Sequence, residues 1–208
     1  LQSSAASDVY KRQVLNKVDI LENYLYMKDI DLFFLTETWL TPKVNDAVIC
    51  PRNYNIVRND RISRGGGVAV LYKDSFKVFS IKNDLNLINT LGFEYLCIDV
   101  IFKKTKLRFL CIYLPPLAAK CAPTVKNVIK LIKLFLPDSY SYFILGDFNL
   151  PNINWRIPYT SFNESHEFFL DFCTYNFLTQ VIEKSTHKSG NILDLSTVSY
   201  THLTLPTT

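Results

Sequence analysis

The chain has 208 residues, of which 48% are hydrophobic, 14% aromatic and 20% charged. This composition excludes a disordered or low-complexity chain, because such chains cannot bury enough apolar surface to offset the conformational entropy lost on folding. The length suits one domain or two very small ones, and no apolar run reaches the roughly 18 residues of a membrane span. The formal net charge of +4 is too small to indicate a polyanionic partner by itself. The five cysteines lie mostly in apolar runs without a CxxC pair, which indicates free thiols in a reducing compartment.

The two ends of the sequence read as foreign to the fold. Residues 1–13 have neither periodicity nor the layout of a signal peptide. A DNA string can be written that encodes most of this segment and whose reverse complement, in another frame, encodes most of residues 198–208. Unrelated natural termini would not have that relation, so we interpret both segments as a translated sequencing adaptor, with disordered natural termini as the alternative. The domain is therefore expected within residues 14–197 and is expected to be truncated at both ends.

The predicted elements alternate between helices and strands. In chain order, apolar patterning predicts a helix over 14–25, strands over 31–36 and 53–57, a basic glycine-rich loop over 58–67 and a strand over 68–72. The patterning then predicts two apolar strands over 94–102 and 107–114, a helix over 124–136 and a strand over 141–145. It ends with a helix over 164–175 and a short strand over 192–195. Because strands occur both as a hairpin and between helices, the sequence predicts a mixed, layered α/β domain.

Acidic and amide residues lie where predicted strands end. Glu37 lies in LTETW, Asp147 and Asn149 lie in ILGDFNLPNINW, and Asp194 lies in GNILDLST. Strand ends place side chains at the mouth of a layered sheet, and hard oxygen ligands there suit Mg²⁺. The alternatives are a solvated strand end for Glu37, an Asx turn for GDFN and a structural ion partner for Asp194. The sequence has neither a Cys/His cluster of zinc spacing nor a P-loop.

Further candidates lie near these segments. Tyr113 places a phenol near the end of its strand, with an ordinary strand-end aromatic as the alternative. Arg61 and Arg64 belong to the basic loop and are candidates for contacting phosphates, although an exposed charged loop is more often only solvated. His166 and His187 lie in polar contexts, and neither is expected to be catalytic.

The order of these motifs carries more information than any one of them. LTETWL, RGGGVAVLY, FEYLCIDV, YLPP, GDFNLPNINW and GNILDL follow one another along the chain. The set resembles the endonuclease/exonuclease/phosphatase superfamily and, more narrowly, the apurinic-type endonuclease domain of non-LTR (LINE-like, jockey-related) retrotransposons. The resemblance covers nearly all of residues 14–197. It implies a four-layer α/β sandwich, two packed mixed sheets flanked by helices, which would be incomplete here.

The resemblance also implies roles for individual residues. Glu37 matches the metal-binding glutamate of the family, and Mg²⁺ or Mn²⁺ is the implied cofactor. Asp147 matches the aspartate that activates or positions the attacking water, and Asn149 matches the asparagine that holds the scissile phosphate. Tyr113 matches the tyrosine that hydrogen-bonds the phosphate. Asp194 matches the aspartate that orients a catalytic histidine.

The implied activity is metal-dependent hydrolysis that nicks target DNA and leaves a 3′-hydroxyl. A reverse-transcriptase domain on the same parent polypeptide would extend that end in the nucleus, with no membrane partner. The chain has no counterpart of the asparagine on the family's first strand or of its terminal Ser-Asp-His segment, so we expect it to be inactive or nearly so. The alternatives are a small-molecule or lipid phosphoesterase of the same superfamily, or a non-catalytic nucleic-acid-binding fragment that uses the arginine loop and the lysines at 103–106.

Overall fold

The computed structural model describes residues 14–81, 92–137, 140–160 and 163–199. Its strands are β1 (Leu32–Thr36), β2 (Tyr54–Asn59), β3 (Val68–Lys73), β4 (Lys77–Ser80), β5 (Glu94–Phe102), β6 (Thr105–Tyr113), β7 (Tyr142–Asp147), β8 (Ile153–Asn154), β9 (Tyr159–Thr160), β10 (Leu178–Gln180) and β11 (Asp194–Ser199). Its α-helices are α1 (Val18–Met27), α2 (Pro116–Ala119), α3 (Ala122–Phe135) and α4 (Glu164–Tyr175), with 3₁₀ turns at Val14–Lys17 and Asp46–Val48.

The strands form a large sheet and a small sheet. The large sheet has the order β10-β11-β7-β6-β5-β4 and the small sheet the order β1-β3-β2, while β8 and β9 make a separate hairpin. Strands β6 and β7 are parallel, whereas the other pairs of the large sheet and both pairs of the small sheet are antiparallel. Since a parallel pair needs a long crossover connection, helices α2 and α3 fill the segment between β6 and β7.

Alternating side chains of β6 face two different layers. Cys111 and Tyr113 belong to the cluster that packs against Val68 and Val70 of the small sheet. Leu110 and Ile112 point the other way, into the cluster that contains α3 and α4. This is the period of two expected of a strand buried on both faces.

Helices cover the outer faces of both sheets. Helix α1 buries Leu21 and Leu25 in a cluster with Leu71 of β3. Helix α3 buries Val128 and Ile132 in the cluster on the outer face of the large sheet, as its helical spacing predicts. The resulting order, helix, sheet, sheet, helix, confirms the predicted four-layer α/β sandwich.

Most element boundaries agree with the sequence patterns, and the differences lie in short or late strands. Strand β4 and the short strands β8, β9 and β10 carry patterns too brief to distinguish from loops. Strand β11 starts at Asp194 and runs to Ser199, two residues beyond the expected domain end at 197.

Residues 1–13 and 200–208 lie outside the described part, so the adaptor interpretation stays a prediction. No helix in the described ranges is long and apolar enough to cross a membrane, and all five cysteines there are free.

Candidate active site

A row of polar residues crosses the large sheet at one end. Asp194 of β11 is the register partner of Asp147 of β7, which is in turn the partner of Tyr113 of β6. Tyr113 is also opposite Glu94 of β5. Because side chains alternate along a strand, all four share the face that Cys111 and Tyr113 present to the small sheet. The fold thus gathers residues from four strands at the mouth between the two sheets.

Glu37 reaches this row from the small sheet. It follows β1 directly and has a left-handed backbone conformation with φ +53°, which is uncommon for a glutamate. The next two amides hold the segment against the glycine loop, Thr38 N–H donating to Gly67 O at 3.3 Å and Trp39 N–H to Gly66 O at 2.9 Å. The Tyr113 hydroxyl donates a short hydrogen bond to Glu37 Oε1. This bond joins the two sheets across the site.

The backbone on both sides of Asp147 is specialised. Gly146 has φ +129°, and a Cβ there would lie 2.0 Å from the carbonyl oxygen of Ile112, so only glycine fits. Asn149 has φ +49° and donates its backbone N–H to Asp147 Oδ1 at 3.1 Å. This is the Asx turn that the sequence left open as an alternative, and it does not exclude a chemical role. The Asn149 side-chain amide donates to Leu114 O at 3.0 Å, which fixes the asparagine beside Tyr113.

Asp147 has no cationic side chain paired with it in the part of the chain that the structure describes. Burial, the neighbouring Asp194 carboxylate and the more distant Glu37 carboxylate raise the pKa of Asp147 to about 7, while hydrogen bonds from Asn149 oppose this shift. Burial and the hydrogen bond to Glu37 also raise the pKa of Tyr113, so its hydroxyl keeps its proton. A carboxyl that titrates near neutrality inside a cleft is typical of a functional group.

The donor set suits a hard cation held with few protein ligands. Within the described ranges, no three His, Cys, Asp or Glu side chains form a ready cluster for a metal ion. Mg²⁺ commonly uses only one or two carboxylates, completed by waters and substrate phosphate. The uncompensated carboxylates Glu37, Asp147 and Asp194 fit such a loosely held ion, because a cation there would offset their mutual repulsion.

The predicted phosphate-binding arginines both have partners. Arg61 Nε lies 2.5 Å from Glu94 Oε1, so its charge is already paired. The guanidinium carbon of Arg64 lies 5.8 Å from the centre of the Trp39 ring, two residues from Glu37. Arg64 therefore lies beside the site with no carboxylate partner among the described residues. Glu94, which sequence reasoning missed, is the fourth member of the row and holds Arg61.

Other candidates lie elsewhere. The lysines at 103–106 sit at the hairpin turn between β5 and β6, at the opposite end of the strands from Tyr113. His187 is exposed and bonds Ser189 at 2.6 Å. Among the described residues, neither His166 nor His187 pairs with Asp194.

Two packed sheets with a polar site at their shared open end define an α/β sandwich protein whose functional residues come from strand ends. The chain belongs to the Endonuclease/Exonuclease/phosphatase family, whose sequence pattern matches residues 9–204. Members of this family are hydrolytic nucleases and phosphatases. No curated protein matches the chain by sequence.

Solved structures share this fold at low sequence identity. An AP endonuclease from Archaeoglobus fulgidus is 10% identical with a TM-score of 0.64, over 90% of this chain and 83% of that one. A 3′ phosphatase from Neisseria, bound to a product DNA hairpin, is 14% identical with a TM-score of 0.60, over 90% and 83%. The endonuclease domain of TRAS1, a telomere-specific non-LTR retrotransposon, is 7% identical with a TM-score of 0.60, over 90% and 80%. At these identities the likeness shows the fold alone.

Proposed function

We propose that this chain is the phosphodiester-cleaving domain of a non-LTR retrotransposon and nicks one strand of target DNA. The observation that carries the proposal is Asp147, a partly buried carboxyl with a pKa raised to about 7, placed beside Asp194 and Asn149 and within the field of Glu37. Two things support the retrotransposon assignment: the order of the sequence motifs and the fold shared with the TRAS1 endonuclease domain. The fold shared with a DNA-bound 3′ phosphatase supports DNA as the substrate.

The chemistry follows from the groups at the site. A water molecule gives a proton to the Asp147 carboxylate as its oxygen attacks phosphorus. The bond from phosphorus to the 3′ oxygen breaks, and the 3′ oxygen leaves with the electron pair and takes a proton from solvent to become the 3′-hydroxyl. The pKa of Asp147 is about 7 without metal, and a bound cation would favour the ionised form that accepts this proton. The Asn149 side-chain amide donates one N–H to Leu114 O and has a second N–H that can donate to a phosphate oxygen, where negative charge grows. The Tyr113 hydroxyl can donate to the phosphate when it turns away from Glu37. A divalent cation at Glu37, Mg²⁺ or Mn²⁺, would supply the positive charge that a phosphodiester requires.

We also propose that the 208-residue chain is inactive or nearly so, and that any nicking it performs is slow. In the resembling family, the counterpart of Asp194 orients a catalytic histidine. In the part of this chain that the structure describes, no histidine contacts Asp194. Asp194 then serves mainly to raise the pKa of Asp147.

The test is nicking of supercoiled plasmid by the purified chain. We expect slow conversion to open circles in MgCl₂, none in EDTA, and a loss of about 10²–10⁴-fold in Asp147→Asn. Asp171→Asn changes an exposed carboxylate on α4 and should leave the rate unchanged. Absence of Mg²⁺-dependent nicking at any protein concentration, together with absence of DNA binding, would contradict the nuclease. Fast nicking that Asp147→Asn abolishes would support the nuclease and contradict the weak activity.

The same preparation separates the alternative functions. Hydrolysis of small or lipid phosphoesters without nicking would favour a phosphoesterase, and salt-dependent DNA binding without cleavage would favour a binding fragment. A Phe/Tyr-x-Asp-Asp motif downstream in the parent transcript would support the reverse-transcriptase partner. Action in the nucleus follows from that assignment and is testable by imaging the tagged parent protein.

A further inference from the structure

A cavity lined by both polar and apolar residues lies directly beside the site. It measures about 330 Å³ and includes Asn149 in its wall, so it opens next to the residue proposed to hold the scissile phosphate. This volume far exceeds the roughly 30 Å³ that one water occupies in the liquid. The other polar lining residues are Lys120, Asn152, Asn163 and His166.

His166 is the unexplained group in this wall. It is only 1% exposed, yet neither Nδ1 nor Nε2 has a hydrogen-bond partner among the described residues. Leaving a buried polar group unpaired is costly, so such a group calls for a ligand or ordered water. The backbone at His166 is held in place, because Ser165 Oγ donates to Ala119 O at 2.8 Å and joins the first turn of α4 to the end of α2.

The charge of the lining favours an anion. Lys120 is exposed and carries the one charged side chain of the described lining, which contains no carboxylate. Glu164 and Glu167, in the first turn of α4, are exposed and are not part of that wall. Asparagine amides and an imidazole N–H are donors that bind phosphate oxygens without needing a full charge.

We propose that this cavity is a second phosphate subsite, which holds the backbone phosphate next to the one that is hydrolysed. This proposal rests on the proposed function. Phosphates repeat at every nucleotide, so a DNA strand whose scissile phosphate lies on Asn149 brings a neighbouring phosphate to the adjacent cavity wall. Because both ring nitrogens are buried, the His166 ring turns toward the cavity to donate an N–H to that phosphate. Lys120 supplies the charge. Burial lowers the pKa of His166, so the imidazole is neutral at pH 7 before the anion binds.

The first test compares His166→Phe with the wild-type chain. Phenylalanine keeps a ring of similar size and removes both nitrogens, so stability in urea should be equal or higher. Affinity for a short DNA duplex, measured by fluorescence anisotropy, should fall about tenfold. Lys120→Ala, an exposed change that keeps the core, should also weaken binding and reduce the salt dependence by about one phosphate. His187→Phe and Lys130→Ala are the matched controls and should bind within about twofold of wild type.

A neutral methylphosphonate in the DNA removes the negative charge of one phosphate, so it removes the same contact by changing the DNA and not the protein. A methylphosphonate at one position next to the scissile phosphate should lower the affinity of the wild-type chain for DNA about tenfold. The same methylphosphonate should not lower the affinity of His166→Phe any further. Wild-type affinity in both His166→Phe and Lys120→Ala, or equal losses in wild type and variant at every position, would overturn the subsite. If His166→Phe does not fold, Lys120→Ala carries the same comparison.

Inorganic phosphate separates the subsite from the nuclease. If the wild-type chain does not bind DNA, the proposed function fails, and the cavity is then judged by NMR of the histidine ring. Shifts of His166 on adding phosphate, absent in Lys120→Ala, would support the anion site. Unchanged His166 signals would show that the cavity holds water alone and would overturn the proposal.

Discussion

Two carboxylates of the large sheet, Asp99 and Asp147, lie in opposite electrostatic environments. Asp99 on β5 is 1% exposed and forms two ion pairs. Its Oδ1 lies 2.7 Å from Arg108 Nε, and its Oδ2 lies 2.8 Å from Lys106 Nζ. Burial alone would raise the pKa of Asp99, but hydrogen bonds from Arg108 and Lys106 lower it. No cationic side chain of the described residues pairs with Asp147 on β7, and burial and the Asp194 carboxylate raise its pKa to about 7. The contrast shows that the fold can neutralise a carboxylate completely and does so at Asp99 but not at Asp147.

The largest expected effect is the loss of stability when the paired carboxylate, Asp99, is neutralised. Asp99→Asn leaves the Arg108 guanidinium without its partner, so the free energy of unfolding should fall by roughly 3–5 kcal/mol. Asp147→Asn is the matched change, and at pH 8 it should leave the free energy of unfolding unchanged or raise it, because it removes repulsion. Urea denaturation of both variants measures this. Equal losses in the two variants would contradict the contrast.

The second largest expected effect is on how the free energy of unfolding depends on pH. Because the pKa of Asp147 is raised in the fold, the folded chain holds an extra proton between about pH 4 and pH 7, and stability falls as pH rises through this range. The loss between pH 5 and pH 8, without metal, should be roughly 1–3 kcal/mol. Asp147→Asn should abolish most of this slope. Asp99, with a lowered pKa, should instead lose its contribution at more acidic pH. A slope that persists in Asp147→Asn would assign it to another group.

The smallest expected effect concerns the tyrosines beside the two carboxylate groups. Tyr113→Phe removes the short bond to Glu37, which should cost about 1–2 kcal/mol of stability. Tyr140 Oη lies 3.4 Å from Asp99 Oδ2, a weak contact to an already neutralised group. Tyr140→Phe should therefore cost less than about 0.5 kcal/mol. Thermal denaturation compares the two, and a larger loss in Tyr140→Phe would reverse the assignment.

Local patterns in the sequence predicted the layered α/β domain, and the family resemblance supplied the four-layer sandwich, which the structure confirms. The chemical roles of the site residues stay predictions. Helix α4 spans Glu164–Tyr175 as its periodicity indicates. The structure brings together Glu37, Tyr113, Asp147, Asn149 and Asp194, all found at strand ends. A polar residue that ends an apolar strand is visible in one sequence window, and so is the glycine that precedes Asp147.

What the sequence could not predict depends on pairing between distant segments. Arg61 and Glu94 are 33 positions apart, and nothing near either residue indicates that they form an ion pair. His166 looks like a polar helix residue in sequence, and only the packing of α4 against α2 buries it. The register that places Asp194 opposite Asp147 depends on how β11 aligns with β7. These contacts decide the charge of the site, which is why its electrostatics required the structure.

The most direct test of the account is the pKa of the Asp147 carboxyl, measured by NMR titration of the ¹³C-labelled chain with and without MgCl₂. The account predicts a pKa of about 7 without metal and a clear decrease when Mg²⁺ binds, since a cation favours the ionised form. An Asp147 pKa near the ordinary aspartate value of about 3.9, unchanged by Mg²⁺, would contradict it.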